Sequence, residues 1–151
     1  MHWRPSNMSP RELFPNGRFS PPATEERVVR VEAELGMRLP DQLRRLYFDC
    51  DGFREDRGNA KYLLSLSDED YIGSLVTITR CMWTEVQTPD LRPFVFFGSA
   101  SGDEVWGISP QRPGEIIAYH HQMEAEYEIV GSDILDVWRN DYAKYGGNND
   151  A

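Results

Sequence analysis

The 151 residues are 40% hydrophobic, 12% aromatic and 27% charged, which gives one globular domain that holds a core without staples and excludes a disordered chain. The net charge of −9 disfavours nucleic acid and anionic lipid as partners. No apolar run approaches membrane-spanning length, and "MHWRPSNMSPRELFPNGRFS" lacks the apolar segment of a secretory signal, so the expected location is cytoplasmic and no membrane partner is expected.

Residues 1–22 read as a partly ordered arm, rich in Pro, Asn, Arg and Ser, whose scattered aromatics dock on the domain. A first helix is capped by Thr24, carries Glu25 and Glu26 in its opening turn, repeats Val28, Val31 and Leu35 at helical spacing, and stops at Gly36. A second has Pro40 at its first position and Leu43, Leu46, Tyr47 and Cys50 on one face before Gly52. "KYLLSL", from Lys61, is a short strand. Ser67 then caps a third helix through "SDED", with Ile72, Leu75, Val76, Thr79, Met82 or Trp83, and Val86 along one stripe.

From Pro93 the period changes. "PFVFFGS", "DEVWGIS", "EIIAYHH" and "EYEIVG" are four strand-like runs separated by "ASG", "PQRPG" and "QMEA", an antiparallel meander. A closing helix capped by Ser132 carries Ile134, Leu135, Trp138 and Tyr142, and residues 146–151 fray. The fold class is α+β, an antiparallel sheet of four or more strands packed against helices, with the domain over residues 23–145.

Charge is unevenly spread. Residues 1–46 carry eight arginines and six carboxylates, net +2, whereas residues 47–151 carry eight basic and nineteen acidic side chains, net −11. Such a field attracts basic partners, although acidity also serves solubility. Asp68, Glu69 and Asp70 fit the electrostatics of a helix start, and "EAEYE", with Glu124 and Glu126, fits a strand whose acids face water. The functional alternative joins these acids with Asp103 and Glu104 in one negative surface.

No catalytic or ligand-binding constellation forms. "GSASG" places Ala100 where a nucleophile elbow needs serine, and a strand follows it instead of a helix. Small residues from Gly98 to Gly102 fit a chain reversal. His120 and His121 are adjacent on a strand, so their side chains point to opposite faces and do not chelate one metal. "DCDGFRED" has Phe53 where a calcium loop needs its third acid. Cys50 and Cys81 lack ligand spacing and read as small buried hydrophobes. Neither metal nor cofactor is expected. Trp83, Phe96, Phe97, Trp106 and Trp138 read as core, with Trp106 the one placed near the rim.

The order of these elements, with "VEAELGMRLPDQLRRLYFDCDGF" and "FVFFGSASGDEVWGIS", resembles the SUKH superfamily, which includes bacterial immunity proteins and relatives of a fungal regulator of cell-wall assembly. The first motif, E-x-x-L-G-x-x-L-P, is carried by Glu32, Leu35, Gly36, Leu39 and Pro40, and its helix pair ends in Asp51 and Gly52. The second is carried by Phe97, Gly98, Gly102, Asp103 and Trp106. The resemblance covers about Thr24 to Tyr142. It implies a non-enzymatic protein-binding domain, most often one that neutralises a toxin, here a basic one, acting as a monomer or weak dimer. The other role it implies is a regulatory interaction domain with an endogenous partner in envelope or signalling control. Asp68, Glu69, Asp70, Asp103, Glu104, Trp106, Glu124 and Glu126 are the expected partner-binding residues, with Leu35, Gly36, Leu39, Pro40, Gly52, Gly98 and Gly102 structural.

Overall fold

Gly36 ends the first long helix because its φ of +72° lies in the left-handed region that a side chain disfavours. In the computed structural model, which describes residues 9–55, 61–66, 73–100, 104–120 and 126–141, the first elements are a short helix α1 (Pro10–Leu13) and a strand β1 (Gly17–Phe19). The long helix is α2 (Glu25–Leu35), and Thr24 caps it by accepting the Arg27 N–H at 3.1 Å. Gly36 and Met37 N–H groups both return to the Glu32 carbonyl. The next helix, α3 (Asp41–Asp49), starts one residue later than expected: Pro40 has ψ 149° and is its N-cap, not its first helical residue.

A single sheet of seven strands follows the chain order β1 to β7, every neighbouring pair antiparallel. Beyond the four strands read from the second half, it contains β1, β2 (Phe53–Glu55) and β3 (Tyr62–Leu63). Only two residues of "KYLLSL" are strand. The meander is β4 (Val95–Ser99), β5 (Glu104–Ser109), β6 (Arg112–His120) and β7 (Glu128–Gly131). Arg112 pairs with Ser109, so most of the expected "PQRPG" linker is strand and the turn is Pro110-Gln111.

The helix α4 (Leu75–Glu85) begins at Ser74, not at Ser67, which lies outside the described residues. Gly73 has φ +111°, a conformation that cannot continue a helix, and Ser74 Oγ accepts the Thr77 N–H at 3.2 Å. The last helix, α5 (Ile134–Asp141), is capped by Asp133 rather than Ser132: its carboxylate accepts the Asp136 N–H at 3.0 Å.

Residues of β4, β5 and β6 are buried on both faces, and their alternation splits the core in two. Phe97, Trp106, Ile108 and Ala118 face α2, α3 and α5; Phe96, Val105, Ile117 and Tyr119 face Met82, Leu91 and Phe94. Trp138 is the hub of the first core, with ring centroids 5.1 Å from Phe53, 6.0 Å from Trp106 and 6.2 Å from Phe97. Trp83 is only partly buried, its indole N–H donating to the Phe94 carbonyl at 2.8 Å. Cys50 is buried at the C-cap of α3, whereas Cys81 on α4 is half-buried, and both thiols are free.

Candidate interaction surface

The expected structural residues have identifiable mechanical roles. Leu35 and Leu39 are buried either side of the left-handed Gly36. Glu32 explains the fixed spacing between them: its carboxylate reaches past the turn to accept the Leu39 N–H at 2.7 Å and lies 3.8 Å from Arg44 Nε. Gly52 has φ +101°, and a Cβ there would sit 3.1 Å from the Ser65 nitrogen. Gly98 is not a turn residue. It lies within β4, where a Cβ would run into the Tyr62 carbonyl oxygen, so its role is to let β3 approach.

Two polar residues were not singled out by sequence as anchors. Asp51, 4% exposed, accepts the Leu66 N–H at 2.8 Å and the Ser65 hydroxyl at 3.3 Å, and pairs with Arg27 at 3.1 Å. Gln42 donates to the Pro113 and Ser132 carbonyls and accepts the Ile134 N–H at 2.8 Å, tying α3 to the start of α5. The glutamine carried no periodic signal. Only pairing across 71 to 92 positions gives it meaning.

Of the expected partner-binding residues, Asp68, Glu69, Asp70, Asp103 and Glu124 lie outside the described residues, as does the structural Gly102. Glu104 and Trp106 share one face of β5, and the half-buried Glu104 carboxylate accepts the Trp106 indole N–H at 2.9 Å. The ring itself is 2% exposed and packs on Trp138, so Trp106 is core and not rim. The strand alternation that puts Ile108 inward puts Trp106 inward with it. Glu126 is exposed just before β7, and His120 is opposite Glu104 across β5 and β6.

Between β7 and α5 lies a cleft of about 320 Å³, lined by Glu104, Glu128 and Asp141 together with Val130 and Asn140 among others. Asp141 is held from below by Lys61, whose side chain is fully buried with Nζ 3.1 Å from the carboxylate. Burial pushes the Tyr62 phenol up, Arg54 counteracts, and Glu104 adds to the rise. With three lining carboxylates and the single Lys61 ammonium paired to Asp141, the cleft has a negative balance among the described residues. Beside it, Tyr127 and Ile129 are exposed large hydrophobic residues, Ile129 by 59%.

Among the described residues no helix is long and apolar enough to cross a membrane. The model of the SMI1 / KNR4 family (SUKH-1) matches residues 22–138, most of the chain. No curated protein matches it.

Proposed function

The chain belongs to the SMI1 / KNR4 family (SUKH-1), and from that premise we propose that it is a non-enzymatic, cytoplasmic immunity-type protein that neutralises a cognate bacterial toxin by binding it. The family match carries this reading. The charge supports the partner class: residues 47–151 hold a net −11, which suits a toxin domain with a basic active-site surface such as a nuclease. Occlusion of that surface by a bound acidic protein needs neither metal nor cofactor. Asp68, Glu69, Asp70, Asp103, Glu104, Glu124 and Glu126 are the proposed contacts. Trp106 serves as their support, because its buried indole holds Glu104 in place.

The test is co-expression with the C-terminal toxin domain encoded by the neighbouring gene, scored as host survival. Rescue by this chain and not by an unrelated acidic protein is the expected result. Absence of a toxic neighbour, or of rescue, transfers the assignment to a regulatory interaction domain with an endogenous partner.

A further inference from the structure

The strand β7 is the last in the sheet order, so one of its edges has no neighbouring strand among the described residues. Such an edge offers backbone N–H and C=O groups to an added strand. Its two faces differ in chemistry. Glu128 is opposite Ala118, which is opposite Trp106, so Glu128 shares the face of α5 and the acidic cleft. Ile129 is opposite Ile117, so it shares the other face, where Tyr127 packs edge-on against Phe94 at 5.1 Å.

We propose that, granted the protein-binding reading above, the outer edge of β7 receives an extended segment of the partner in which basic and apolar side chains alternate. Side chains of a strand alternate with a period of two. Alternate lysines or arginines of the added strand then enter the cleft beside Glu104, Glu128 and Asp141. Of those three carboxylates Asp141 is paired with the buried Lys61 ammonium, and no basic side chain lines the cleft among the described residues. The apolar residues between them extend the second core across Ile129 and Tyr127, which the domain leaves exposed. Charge complementarity on one face and apolar cover on the other specify the same occupant.

The experiment titrates the full isotope-labelled chain with an eight-residue peptide alternating lysine and valine. Two controls are the same peptide N-methylated at alternate amides, which cannot complete the strand ladder, and its glutamate counterpart. The lysine peptide is expected to move the backbone amide resonances of Glu128 to Gly131, and neither control to do so. Glu128→Lys and Ile129→Lys are expected to weaken binding about tenfold with unchanged thermal melting, since both side chains are exposed. Equal binding by the N-methylated peptide, binding that leaves those amides unmoved, or no binding overturns the proposal. Toxin co-expression separates its failure from that of the functional reading. Rescue that persists in both variants rejects the edge and keeps neutralisation, whereas no rescue by the unmodified chain rejects neutralisation and leaves the titration to decide the edge.

Discussion

Cys50 shows how one buried side chain ties the fold to pH. It closes α3 with no exposed surface, and burial, reinforced by the Asp49 charge, pushes its thiol from 9.0 up to about 12. Tyr47, one turn earlier and also fully buried, is raised well above 10.0 by burial and then by Asp51, while its hydroxyl donates to the Leu64 carbonyl at 2.6 Å. The unfolded thiol loses its proton near pH 9, but the folded one keeps it to about 12. The folded state therefore binds more protons in that interval, and stability falls as pH rises through it, by at most about 1.4 kcal/mol per pH unit for each such group. Urea denaturation at pH 8, 9.5 and 10.5 is expected to show that decline, with a shallower slope in Cys50→Ala. A slope identical in the variant assigns the decline to other groups. Sequence placed Cys50 correctly on an apolar face, yet Asp51 beside it passed as a helix end. Its carboxylate joins α2 to the segment after β3 through contacts 14 to 24 positions away, and no local pattern encodes such a pairing.

Among the elements, α4 does what a neighbouring strand would do for β4. The strand β3 pairs only with Gly98 and Ser99, and Thr79 supplies partners further along. Its hydroxyl donates to the Phe96 carbonyl at 3.2 Å and accepts the Phe96 N–H at 3.0 Å, while Trp83, one turn on, donates to the Phe94 carbonyl. Thr79→Val keeps the shape and leaves two buried backbone groups unpaired, so it is expected to cost about 2 to 3 kcal/mol. Urea titration measures the loss, and faster hydrogen exchange at the Phe96 amide locates it; an unchanged midpoint would show that water replaces the hydroxyl. Sequence read Thr79 as one more position on an apolar stripe. Helices α2 and α3 were legible because caps, left-handed glycine and periodicity agree within a few residues. The meander was legible from alternating and apolar runs. The strand β3 was legible only as part of the longer run "KYLLSL", and β1 and β2 were not legible, since two or three residues become strand by pairing with a neighbour and carry no period of their own.

At the scale of the molecule the decisive quantity is the separation of charge along the chain. The arginine-bearing α2 and α3 as far as Leu46 belong to the first 46 residues, net +2, and the end of α3 and the sheet from β2 onward, with α4 and α5, belong to the remainder, net −11. That asymmetry was legible in the sequence, and so was Glu104. The cleft beside it was not, because Glu128 and Asp141 join it only when β7 and α5 fold against β5. A negative charge excess of this size favours the approach of a basic partner, and screening governs how far that attraction reaches: the Debye length falls from roughly 20 Å near 20 mM salt to about 6 Å near 0.3 M. Under the proposed neutralisation of a basic toxin domain, stopped-flow association with that domain is expected to slow about tenfold or more over that range while dissociation changes little, since steering acts on encounter and short-range packing on release. Reversing Asp103 and Glu104 to lysine should lower the on-rate at low salt and flatten its salt dependence. A rate that ignores salt in the unmodified protein rejects steering and assigns recognition to short-range complementarity.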